Sequence, residues 1–193
     1  MHPADGAAPT GRRRPLWTRR PAPAVATGAG VRPTCHAVRA APCPASMLPL
    51  ATIGYEGATV ERFLDALRAA DVDLLVDVRA VARSRRPGFA KTRLAAHVGE
   101  AGIGYLHLRG LGTPAEGRAA AHAGEHGVMR AVFAEHLATP GAQADLAALA
   151  DLVGAGRRVC LLCFEADPAH CHRSLVADAL GALLPVHVAH LAP

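Results

Sequence analysis

From Met47 onward, short apolar runs of strand length alternate with segments whose apolar positions recur three and four residues apart. Residues 50–54 predict a short buried strand that ends at the polar turn Tyr55-Glu56-Gly57. Thr59 then reads as the cap of a helix that carries Val60, Phe63, Leu64 and Leu67 on one face. Residues 73–79, hydrophobic nearly throughout, predict a strand covered on both faces. A loop broken by Pro87-Gly88 follows over residues 80–90, then a helix over 92–101 with Gly102 as its stop. Residues 103–108 read as a third strand, with His107, Arg109 and a glycine turn at its polar end.

Between residues 113 and 156 the pattern is helical, with clear apolar spacing over 128–137 and 144–153. Residues 115–127 are too small and polar to assign. A fourth strand is predicted over 159–164, a helix over 172–183 and a terminal strand over 186–191. This order predicts an α/β fold, a single compact domain over residues 47–193. Its mainly parallel sheet would have about five strands, with helices on both faces joined by right-handed crossovers.

Residues 1–46 break the pattern. They are rich in Pro, Ala, Gly and Arg, show neither period, and read as a disordered extension, or as sequence upstream of a true start at Met47. They also carry the basic charge. Of 21 basic and 16 acidic residues in the chain, seven arginines and one aspartate precede Met47, which leaves a net charge of −1 from there on. The excess of basic residues therefore says nothing about the folded domain. The extension lacks the apolar stretch of about 7–15 residues that a secretory signal requires. No run approaches the roughly 18 apolar residues of a membrane span, so the expectation is a soluble, cytoplasmic protein without a membrane partner.

The candidate chemistry gathers at Val159 to Arg173, VCLLCFEADPAHCHR. Alternation along the fourth strand puts Cys163 and Glu165 on one face and turns Cys160 toward the core. Cys171, His172 and Arg173 stand at the mouth of the next helix, where free amides, the helix dipole and neighbouring cations favour a thiolate. Cys171 is accordingly expected as a nucleophile or redox-active thiol, with an inert buried thiol as the alternative. Glu165 or Asp77 would act as acid or base beside Cys163, although Asp77 and Arg79 could equally form a structural ion pair. Tyr55, Glu56, Arg79, Arg85, His172 and Arg173 are the candidate substrate-binding groups for an anionic small molecule or a nucleic acid. The dense basic stretch of Arg83, Arg85, Arg86, Lys91 and Arg93 points the same way, with Phe89 as its lone aromatic. No cofactor is called for. Zinc or iron on Cys163, Cys171 and His172, with His107 or His190, is the alternative, although the spacings are not those of zinc fingers. The cysteines are expected to be reduced.

Thr52-Ile-Gly-Tyr-Glu-Gly57, Leu75-Val-Asp-Val-Arg79, Arg83-Ser-Arg85 with Pro87-Gly-Phe89, Gly102-Ile-Gly-Tyr-Leu-His107, and Leu162-Cys163 with Glu165 and Cys171-His-Arg173 resemble the domain of unknown function 488 family. The resemblance runs from Met47 to about His190. It implies a compact α/β domain with a cysteine and carboxylate site, and no defined activity. Ala80 and Ala82 stand where members usually carry Ser and Pro, which implies a less rigid loop here. The sequence thus points to a small enzyme, a thiol-dependent transferase or hydrolase with a cysteine, carboxylate and arginine pocket. A non-catalytic nucleic-acid-binding module and a metal-binding protein are the alternatives.

Overall fold

The computed structural model describes residues 47–193; the expectations for residues 1–46 lie outside the described residues. Five strands form one sheet: β1 (Leu48–Gly54), β2 (Leu74–Asp77), β3 (Gly104–His107), β4 (Val159–Cys163) and β5 (Val186–Leu191). Their order is β3-β2-β4-β1-β5, and every neighbouring pair is parallel. Six helices accompany them among the described residues: α1 (Val60–Ala69), α2 (Lys91–Glu100), α3 (Ala115–His122), α4 (His126–Leu137), α5 (Pro140–Gly154) and α6 (His172–Gly181). The predicted single α/β domain with helices on both faces is the observed fold.

The period-2 pattern of the strands divides the core in two. Leu50, Val76, Val159 and Leu161 pack with Phe133 of α4, Leu146 and Leu149 of α5, and Val176 and Leu180 of α6. On the other face Ala51, Ile53, Leu75, Cys160 and Leu162 pack with Phe63 and Leu67 of α1 and Leu94 and Val98 of α2. Burying each such Leu, Ile, Val or Phe stabilises the fold by about 1.5–3 kcal/mol.

Local signals set the ends of the helices. Thr59 accepts from the Arg62 amide and caps α1 as its sequence position suggests. The unassigned segment contains α3, which stops at a turn through Gly124, whose φ of +78° suits glycine. Thr139 caps α5, whose first residue, Pro140, has no amide hydrogen to satisfy. The strand predicted over 73–79 ends at Asp77, because the Arg79 amide donates to the Asp77 carboxylate instead of continuing the ladder.

The chain leaves β1 through α1 toward β2 and leaves β4 through α6 toward β5, on opposite faces. β1 and β4 are neighbours, paired to their last residues, Gly54 and Cys163. Connections that diverge from adjacent parallel strands leave a crevice beyond their carboxyl ends. Tyr55, Glu56, Phe164 and Glu165 are the next residues along those two strands.

Candidate functional site

The turn after β4 is tied to the end of β1. The amides of Tyr55 and Glu56 both donate to the Phe164 carbonyl, at 3.1 and 2.9 Å, and the Ala166 amide donates to Glu56 Oε2 at 3.0 Å. Gly54 makes the close approach possible: a β-carbon there would stand 1.8 Å from the Glu165 carbonyl oxygen. The turn swings the Glu165 carboxylate inward, where one oxygen, Oε2, accepts from the thiols of both Cys163 and Cys171 at 3.0 Å.

His172 completes the group. Its Nε2 lies 2.9 Å from the Val78 carbonyl oxygen, which can only accept, so Nε2 carries the proton. Nδ1 therefore faces the Cys163 sulfur, 3.5 Å away, with a lone pair whenever the ring is neutral. One ligand atom from each of Cys163, Glu165, Cys171 and His172 lies within 4.8 Å of all the others.

Burial pushes both thiols up, Cys171 well above the usual value. For Glu165 burial acts in the opposite direction to the thiol hydrogen bonds, which outweigh it and hold the carboxyl below its usual range. Burial likewise disfavours a charged His172, but the neighbouring thiol, the Val78 carbonyl and Glu165 raise its pKa. This corrects the expectation of a thiolate at Cys171. The helix-mouth position is real, since Cys171 caps α6, but burial of a residue only 1% exposed disfavours the thiolate, and the Cys163 thiol beside it raises the pKa further.

A pocket of about 660 Å³ opens over this group. Cys163, Glu165 and His172 lie on its floor, and its walls include Tyr55, Glu56, Arg79 and Arg85. Cys171 does not line it. Most of the residues that build this site, Tyr55 and Glu56 apart, fall within one matched segment: residues 59–180, more than half of the chain, match the family described as Domain of unknown function DUF488. The chain belongs to that family. No curated protein and no solved structure matches it.

Within this DUF488 domain, three other sequence candidates turn out to hold the framework. Asp77 is fully buried and takes a bidentate ion pair from Arg79, at 2.8 and 2.6 Å, and a hydrogen bond from the Tyr105 hydroxyl at 2.6 Å. With its oxygens so occupied it is a structural partner, as the ion-pair alternative has it, and not an acid or base. Four of the five Arg79 N–H groups are taken, by Asp77, the Tyr55 hydroxyl and the Phe89 carbonyl. Arg79 therefore braces the wall instead of gripping a ligand. Arg173 is 1% exposed and donates to Thr52 Oγ1 and to the carbonyls of Glu165 and Ala166, which fixes the turn from behind.

His107 and His190 also fall outside the group. His107 bonds the Arg79 carbonyl, and His190 pairs with Thr52 Oγ1 at 2.7 Å. Phe89 is buried and stacked on Tyr55, with ring centroids 4.5 Å apart, so it offers no face to a base. Cys160, Cys163 and Cys171 are free thiols. No helix among the described residues is long and apolar enough to cross a membrane.

Sequence reasoning missed the wall opposite the strands. Arg118 and His122 of α3, His126 of α4 and His170 all line the pocket beside Arg83 and Arg86. The His126 and His170 rings stack, with centroids 4.3 Å apart. His122 and His126, both within the stretch without clear period, were the available signal, and the low hydrophobicity of that stretch hid α3.

Proposed function

We propose that this domain is an enzyme that binds an anionic, phosphate-class substrate in the pocket and acts on it with Cys163, Glu165 and His172. The observation that carries this reading is the composition of the cavity. Five arginines line it against two glutamates, and with Arg79 already neutralised by Asp77 the remainder, Arg83, Arg85, Arg86 and Arg118, take part in no ion pair among the described residues. Among the described residues the side-chain Nε of Arg86 and Nδ1 of His126 are buried without a hydrogen-bond partner, which leaves polar capacity at the same walls. Arginine forks suit the oxygens of a phosphate, and the floor offers the Glu165 carboxylate to accept a proton beneath it, while His172, held on the Val78 carbonyl, turns its other nitrogen to the Cys163 thiol. Cys163 is the thiol that faces the cavity, a role the sequence suggests for Cys171. The transferase or hydrolase expectation is retained in this form, with Glu165 as the proton acceptor.

The test is calorimetric titration of the full chain with inorganic phosphate, pyrophosphate and a short single-stranded oligonucleotide. Each charge-assisted contact contributes about 1.5–3 kcal/mol, so Arg85→Gln and Arg118→Gln should each weaken anion binding about tenfold or more. Substituting the tail arginines Arg12, Arg13 and Arg14 by Gln should leave it unchanged. Binding that is lost with the tail arginines and indifferent to Arg85 and Arg118 would overturn the reading. A phosphate ester that turns over should cease to do so in Glu165→Gln.

A further inference from the structure

We propose that Cys163, Cys171, His172 and Glu165 together bind one thiophilic divalent metal ion of the zinc class at the floor of the pocket. This rests on the functional reading above and names what the floor group holds, so that Cys163 and His172 take part as ligands of the metal, and it is carried by separate observations.

The first is the identity and placement of the donors. Two sulfurs, one imidazole nitrogen and one carboxylate oxygen converge from two strand and helix ends, all within 4.8 Å of one another. Zinc with bonds of about 2.3 Å to sulfur and 2.0–2.1 Å to nitrogen in tetrahedral array places such donors about 3.6 Å apart. The distance from Cys163 Sγ to His172 Nδ1 is 3.5 Å. The two contacts from thiol to carboxylate, 3.0 Å each, are hydrogen bonds that would open by about half an ångström once a metal replaced the protons.

The second observation is the orientation of His172. Its Nε2–H is spent on the Val78 carbonyl, which fixes the ring and leaves Nδ1 as the donor toward the sulfurs. Such a bond from the far nitrogen to a carbonyl is the usual support of a ligating histidine. A histidine kept for packing alone has no need to aim its free nitrogen at two cysteines and a glutamate.

The third is charge. A divalent ion with two thiolates and a carboxylate carries one net negative charge. Arg173, next in sequence to the ligand His172, is a buried cation that donates only to neutral oxygens, and no ion pair among the described residues includes it. Its amide also points to the Cys171 sulfur at 3.5 Å. A buried arginine without an anion is costly, and an anionic metal centre on the same turn supplies one. Loading releases the two thiol protons to solvent, so affinity should rise with pH. Cys171 and Cys163 then serve as ligands, while Glu165, at the pocket side, is the ligand a substrate or water would displace.

The experiment uses the full chain, purified without a histidine tag. Elemental analysis should find about one zinc or iron per chain. After chelation, cobalt(II) should restore one equivalent and produce a thiolate-to-cobalt charge-transfer band. The band should persist when Cys35, Cys43 and Cys160 are all changed to Ser, and Cys171→Ser and His172→Asn should each weaken cobalt affinity by at least about tenfold. Because these variants can misfold, unmodified protein gives a second readout: metal should raise the thermal midpoint of the chelated chain and protect Cys163 and Cys171 from alkylation. Substoichiometric metal with no protection, a Cys163–Cys171 disulfide in place of metal, or a band that survives Cys171→Ser would each overturn the inference. A chain that binds metal here and yet shows no pocket-dependent anion binding would uphold this inference and overturn the enzymatic reading alone.

Discussion

Glu165 holds two thiols through a single carboxylate oxygen, so its protonation state governs the whole group. In the chelated protein two opposed shifts should shape stability. The Glu165 pKa is lowered, so its contribution is complete above the ordinary carboxylate value of about 4.3 and is lost as pH falls through the lowered value. The His172 pKa is raised, so its contribution is complete below the ordinary imidazole value of about 6.5 and is lost as pH rises through the raised one. Both are present between those two values. Denaturant unfolding across pH should therefore show an acid limb that flattens in Glu165→Gln and an alkaline limb that weakens in His172→Gln; an unchanged acid limb in Glu165→Gln would contradict the assignment. The thiols titrate in the same direction as His172, since burial raises them. Their alkylation in metal-free protein should have its midpoint above the ordinary thiol value of about 8.5.

At the scale of elements, the site depends on three strand ends braced in two different ways. Behind β2, Asp77 and Arg79 form a buried pair joined by two tyrosines, the Tyr55 hydroxyl accepting from the Arg79 guanidinium and the Tyr105 hydroxyl donating to the Asp77 carboxylate. Asp77→Asn keeps the shape but leaves the Arg79 guanidinium buried without an anion. That should cost on the order of 3–5 kcal/mol in urea unfolding, and a loss below about 1 kcal/mol would show the pair to be dispensable. Beyond β1 and β4, the brace is backbone. Two amides share the Phe164 carbonyl, and Arg173 holds the carbonyls of Glu165 and Ala166. The cysteine, the glutamate and the helix cap are thereby fixed by groups that take no part in the chemistry.

Across the whole molecule, the sheet supplies the floor of the pocket and α3 and α4 supply its far wall. Phe133 of α4 links the two: it is 1% exposed, belongs to the core on that face, and its ring centroid lies 5.3 Å from that of His172. Phe133→Ala should open a cavity costing about 3–5 kcal/mol and also weaken anion binding, because α4 would lose its seat against the sheet. Full anion affinity in a destabilised Phe133→Ala chain would mean that the wall is positioned without it. The order of strands explains why these parts meet. Val78 and His172 are 94 residues apart, yet β2 and β4 are neighbours, which brings the end of one beside the helix that follows the other.

The sequence by itself determined the parallel α/β domain, the five strands, and the face on which each strand residue lies. These are local properties: alternation with period 2 separates Cys160 from Cys163 without reference to any other element, and capping residues mark helix starts within one turn. Seven of the sequence's ten candidate site residues line the pocket, most of them at or just beyond strand ends, where such groups collect. Only the tertiary structure decided what each does. Whether Asp77 meets a substrate or Arg79, whether Arg173 is a grip or a brace, and whether Cys171 ionises all depend on burial and on partners brought in by strand order. A helix mouth favours a thiolate, but burial and the Cys163 thiol alongside raise the Cys171 pKa, and neither can be read along a chain.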